Sequence, residues 1–102
     1  MKVFWTKEAL LRLQEIQDYI SRDNPSIAIE FVDRLIDLSE TLVNNPKEGR
    51  VVPELSIENI RELLHKNYRI VYLVKKNTIN VLTVFEGHQL LKTEEIFKNK
   101  NC

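Results

Sequence analysis

Three strand-length apolar runs, residues 60–65, 68–75 and 79–86, follow one another linked only by the short polar segments KN and KKNT. Connections this short cannot return a chain for parallel pairing, which needs a crossover of a dozen or more residues. The C-terminal half is therefore an antiparallel meander. A two-residue turn at Lys66-Asn67 sets His65 opposite Tyr68, Leu64 opposite Arg69 and Glu62 opposite Val71. A second turn at Lys76-Asn77 sets Val71 opposite Leu82 and Arg69 opposite Val84.

Side chains alternate along a strand, so this register predicts two faces. Leu63, Tyr68, Ile70, Tyr72, Val74, Ile79, Val81 and Phe85 form the more apolar one, expected to pack on helices. Arg61 falls on this side near Tyr72, where a buried structural ion pair is expected. The other face carries Ile60, Glu62, Leu64, Arg69, Val71, Leu73, Leu82, Val84 and Glu86. Glu62 and Arg69 are diagonal neighbours there and can pair. Such a face is too apolar to be plainly solvated, and a cover is expected from the tail, a partner or a target. A slip of one residue in either turn would exchange the faces.

Upstream, KVFW reads as a short strand, and Thr6 is suited to cap a helix over about Lys7–Arg22. Leu10, Leu13, Ile16 and Ile20 have the spacing of one helical stripe. Asn24 and Pro25 suit the N-cap and first position of a second helix. That helix carries Ala28, Phe31, Leu35, Leu38 and Leu42 as one stripe, with Ile29, Val32, Ile36 and Val43 beside it. The apolar arc is wider than packing on one side needs. NNPKEG ends the helix, residues 50–58 show no firm period, and LLKTEEIFKNK closes the chain as a short amphipathic helix or tail. The order β-α-α-β-β-β defines an α+β domain over residues 1–102, an antiparallel sheet packed on a two-helix hairpin.

Lys and Arg total 15 and so do Asp and Glu, for a net charge of zero. A surface built for extended phosphate contacts needs a cationic surplus, which is missing globally. The only cysteine is the terminal Cys102, which leaves no internal disulfide and fits a reducing cytoplasm. No apolar run approaches the ~20 residues of a membrane helix, and the N-terminus lacks a signal-peptide core. Two distant histidines and one cysteine make no metal-ligand set, and no phosphate-binding glycine loop is present; no cofactor is expected.

The motifs WTKEAL, the P..GR turn (Pro46, Gly49, Arg50), IREL, YRIVY and the final FEGHQLL occur in one order over almost the whole chain. Together they resemble the RelE/ParE superfamily of toxins from type II toxin–antitoxin modules. The resemblance implies a growth-inhibiting protein of a plasmid-stabilisation module, silenced by a cognate antitoxin. Docking of that antitoxin is expected on exposed apolar rows, namely Ile29, Val32 and Ile36 of the second helix and Val71, Leu73 and Leu82 of the open sheet face.

The superfamily divides by target. RelE-like members cut mRNA on the ribosome with two lysines on the strand before YRIVY, and the corresponding positions here are Ile60 and Glu62. A YoeB-like branch uses Glu, Arg and His, which this chain supplies as Glu54, Arg69 and His88 in the roles of base, phosphate clamp and acid. ParE-like members poison DNA gyrase by protein binding, and FEGHQLL resembles their closing motif. This branch is favoured, with Arg69, Glu86, His88 and Gln89 as target-contact residues. The chain is then no enzyme; on the nuclease alternative it is an endoribonuclease, and on a third reading an inactive binding scaffold. Oligomeric state, homodimer or toxin–antitoxin hetero-oligomer, stays open.

Overall fold

The computed structural model describes residues 1–87. The elements run β1 (Lys2–Trp5), α1 (Lys7–Ser21), α2 (Pro25–Glu40), a 3-10 turn (Thr41–Val43), β2 (Arg50–Val51), β3 (Ile60–His65), β4 (Tyr68–Val74) and β5 (Thr78–Glu86). The closing segment LLKTEEIFKNK lies outside the described residues. The α+β class holds. The sheet order is β1-β5-β4-β3-β2, with β1 parallel to β5 and every other pair antiparallel, so the sheet is mixed.

Both helix starts follow from local chemistry. The Thr6 hydroxyl accepts from the Ala9 amide and Asn24 Oδ1 from the Ile27 amide, each satisfying an orphan donor of the first turn. Pro25 occupies the first turn of α2. On α1 the buried stripe is Ala9, Leu13 and Ile16. Leu10, expected in that stripe, is 52% exposed; the helix is rotated so that the small Ala9 makes the close approach. Trp5 Nε1 donates to the Ser39 hydroxyl at 3.1 Å, tying β1 to the end of α2.

The β3–β4 register is the expected one, with Glu62 opposite Val71 and Leu64 opposite Arg69. On β5 the pairing from Val74–Ile79 to Tyr72–Val81 also matches the Lys76-Asn77 turn. Beyond it Val71 faces Thr83 and Arg69 faces Phe85, because Leu82 is an extra residue in a β-bulge. The kink is anchored from the β1–α1 junction: the Thr6 amide and hydroxyl both reach the Val81 carbonyl, at 3.1 and 2.9 Å. Its consequence is an exchange of faces. Val84 packs with Ile70 and Val81 against the helices, whereas Phe85 joins Val71 and Leu82 on the opposite side, the reverse of the uninterrupted register.

That opposite side is not bare. The β2–β3 loop folds over it, with Val52, Leu55 and Ile57 packed on Ile60, Val71, Leu73, Leu82 and Phe85. The loop closes on itself through Leu55 and Ser56 amides bonded to the Val52 carbonyl, and Ser56 is left-handed at φ 53°. Val71, Leu73 and Leu82 are therefore buried, at 0, 7 and 1% exposure. The expectation that they form an exposed docking row is corrected: the chain supplies its own cover.

Tyr72 fixes the turn before β2. Its hydroxyl donates to the Pro46 carbonyl at 2.8 Å and accepts from the Gly49 amide at 2.9 Å. Burial raises the tyrosine pKa, against the bond from Gly49 and the nearby Arg61 charge. Arg61 lies on this side as expected, but among the described residues it meets a carbonyl and not the expected acid: its Nη1 donates to the Gly49 carbonyl at 3.0 Å.

A Cβ at Gly49 would collide with the Glu62 carbonyl oxygen and stand 2.7 Å from the Tyr72 hydroxyl. Gly49→Ala should therefore destabilise the fold by roughly 1–3 kcal/mol, the range for overpacking a filled interior. Urea denaturation should show a lower midpoint with an unchanged slope.

Candidate functional site

Glu62 is a carboxylate on a central part of β3 with no side-chain exposure. An isolated buried charge is heavily penalised, and two guanidinium groups meet it. Arg69 Nε donates to one oxygen and Arg50 Nε to the other, each at 2.6 Å. The positions follow from strand register, since Arg50 pairs across from Glu62 and Arg69 sits on the adjacent strand.

Arg69 has a second partner. Its Nη1 and Nη2 donate to the two oxygens of Glu54, both at 2.7 Å. The Phe85 ring lies 4.8 Å from the guanidinium carbon, a cation–π distance made available by the bulge. Hydrogen bonding to Glu54 raises the Arg69 pKa most, burial opposes it, and Glu62 adds to the rise. The four charges alternate Glu54–Arg69–Glu62–Arg50 and sum to zero. Beside them opens a depression of about 290 Å³ lined by Arg50, Leu64, Lys66, Asn67, Tyr68, Arg69 and Gly87.

Behind the β3–β4 turn, His65 and Tyr68 meet Phe31 of α2 at centroid distances of 5.6 and 5.2 Å. The His65 pKa is lowered, first by burial and then by the positive Lys66 and Arg34. The Tyr68 pKa is raised, first by burial and then by Glu86.

The residues singled out by sequence are thus only partly assembled. Glu54 and Arg69 come together, but as a closed ion pair. Glu86, expected beside Arg69, is opposite Tyr68 instead, since the bulge turns it to the helix side. His88 and Gln89 lie outside the described residues. Of the α2 row, Ile29 is 54% exposed, Val32 is buried and Ile36 is packed against the main core; the row is open only at its N-terminal end. Among the described residues no group of three His, Cys, Asp or Glu is placed to hold a metal, and no helix is long and apolar enough to cross a membrane.

Two participants escape sequence reasoning, Arg50 as a ligand of Glu62 and the 52–59 loop as a cover. The signal for the second was present in Val52, Leu55 and Ile57, apolar residues in a segment with no strand or helix period.

The mixed sheet with a two-helix hairpin on one face is a fold shared with a solved structure. The chain superposes on a solved structure described as the chromosomal ParDE TA system from P. aeruginosa with a TM-score of 0.69 at 22% identity, covering 84% of this chain and 95% of that one. A Sinorhizobium fredii protein described as a candidate toxin, Y4kP, is 34% identical over 90 residues, 86% of this chain and 90% of the relative. The family described as ParE toxin of type II toxin-antitoxin system, parDE, matches residues 3–91. The chain belongs to this ParE toxin family.

Arg69→Met should lower stability by roughly 3–5 kcal/mol, because it leaves Glu62 buried with half its compensation. Arg50→Ala also leaves one oxygen of the buried Glu62 without its charged donor, but its own side chain is 56% exposed and water can reach the vacated place, so it should cost less, about 1–3 kcal/mol. Urea midpoints of the two variants should differ in that order. His65 supplies a pH test. Its folded pKa lies below the ordinary ~6.5, so on acidification the unfolded chain takes up the proton first. Stability from this residue is full above about pH 6.5 and declines from there down to the folded pKa. His65→Gln should flatten that part of the denaturation-midpoint profile.

Proposed function

We propose that this ParE-family toxin inhibits DNA gyrase by binding it, without chemistry of its own, and that a cognate antitoxin in the same cytoplasm neutralises it. The observation that carries the preference over RNA cleavage is the pairing of Glu54 with Arg69. A metal-independent nuclease needs a carboxylate free to take a proton from the 2′-hydroxyl and a cation free to meet the phosphate. Here the two groups assigned to those tasks satisfy each other through both oxygens and both terminal nitrogens. The balanced net charge supports the same choice, since it suits a protein target better than a nucleic acid.

The antitoxin is assigned to the outer surface of the helix hairpin. Leu10 and Leu11 on α1 and Ile27 and Ile29 on α2 are each more than half exposed, and exposed apolar side chains on neighbouring helices suit a helical or extended partner segment.

The decisive experiment is a supercoiling assay. The purified chain should inhibit gyrase, and a cognate antitoxin, sought among short reading frames flanking the toxin gene, should relieve the inhibition when added in equal amount. Mapped mRNA ends in cells expressing the toxin should stay unchanged. Active gyrase together with new transcript ends that vanish in His88→Ala would replace this reading with the nuclease one.

A further inference from the structure

The two halves of the Arg69 guanidinium are held by different kinds of structure. Its Nε is bonded to Glu62, which is fully buried and keeps Arg50 as a second partner. The Phe85 ring lies beneath the guanidinium at 4.8 Å. These groups stand on strands β2, β3 and β5, and they fix the plane of the guanidinium. The terminal fork, by contrast, is filled by Glu54, which stands on the β2–β3 loop with a side chain 22% exposed. The depression lined by Arg50, Leu64, Lys66, Asn67, Tyr68 and Gly87 opens beside the same guanidinium, and Glu54 is not part of its wall.

The geometry points to Glu54 as an internal carboxylate that occupies the Arg69 fork and yields it to an acidic side chain of a protein partner entering through this depression. Three observations carry the inference. Departure of Glu54 leaves Glu62 with both its arginines and the buried Arg69 still bonded through Nε, so that only the terminal nitrogens of Arg69 call for a replacement carboxylate. The fork also stays aimed, since Nε and the ring face are held from elsewhere, so an incoming carboxylate meets a preorganised bidentate donor. The entrance is cationic, as Arg50 and Lys66 are both exposed. A nucleic-acid phosphate is the competing occupant. The geometry favours the carboxylate, because that is the group the fork already holds in both oxygens.

The test uses the full chain, unmodified and as Glu54→Gln, titrated with sodium acetate and separately with inorganic phosphate at constant ionic strength. The readout is the Arg69 side-chain N–H resonances. With acetate, the Nη signals of Glu54→Gln should shift saturably, with affinity at least about tenfold above the unmodified chain, the competition expected of one charge-assisted hydrogen bond. The Nε signal, held by Glu62, should scarcely move. Glu54→Asp, which keeps the charge but shortens the reach, should bind acetate with intermediate affinity and serves if Glu54→Gln does not fold. Equal acetate affinity in the variant and unmodified chains, no saturable shift in either, or a clear preference for phosphate would overturn the assignment. Because a side-chain resonance is read, the result is independent of gyrase inhibition.

Discussion

A single carboxylate, Glu62, with no exposure to water, organises the half of the molecule remote from the helices. Burial makes its charge expensive, and the expense is met only if both oxygens receive charged donors. Arg69 and Arg50 do this, and in doing so they join β4, β3 and the two-residue β2 into one unit. The second end of Arg69 then captures Glu54 and draws the β2–β3 loop across the sheet. Once the loop is seated, Val52, Leu55 and Ile57 remove the apolar sheet face from water. Electrostatics sets where the loop lies, while burial of its apolar side chains supplies the larger, non-directional part of its stability.

The bulge at Leu82 is the second constraint, and it makes the first one possible. Without the extra residue Arg69 would stand opposite Val84, and Phe85 would turn toward the helices. With it, Phe85 comes under the guanidinium and Val84 fills the main core beside Ile70 and Val81. Thr6 couples this kink to the start of α1, since one residue caps the helix and bonds the bulged strand. The N-terminal strand thus contributes to the charge network without touching it.

How much of this is legible in the sequence follows from the range of each interaction. Helix starts depend on residues a few positions apart, and Thr6, Asn24 and Pro25 mark them correctly. Turn length sets register locally, so the β3–β4 pairing and the near half of β4–β5 are readable too. The bulge is not, because the group that anchors it, the Thr6 hydroxyl at the start of α1, is some seventy-five residues away in sequence. The candidate site divides in the same way. The Glu62–Arg69 pair falls out of strand geometry, whereas Glu54 and Arg50 reach it from a loop and an edge strand that carry no periodic pattern. The cover of the open face is hidden for the same reason: an aperiodic segment looks like a mere connection, although its apolar Val52, Leu55 and Ile57 seal the sheet.

Sealing that face changes what the rest of the surface has to do. If the toxin's apolar contacts with other macromolecules cannot be made by Val71, Leu73 and Leu82, they fall to side chains that the fold leaves outside its core. Among the described residues the hairpin carries most of the large ones, Leu10, Leu11, Tyr19, Ile27 and Ile29, while Phe4 and Leu64 are exposed on strands β1 and β3. None of these contributes to the buried stripes that hold the hairpin on the sheet, so their apolar character is not required by packing. Exposed apolar side chains grouped on adjacent elements are the ordinary mark of a protein-binding surface. The molecule therefore separates its two kinds of surface, an apolar one on the helices and a charged, self-neutralised one at the far side of the sheet. A partner can take the first by simple burial, but it can engage Arg69 at the second only by offering a carboxylate or phosphate that competes with Glu54.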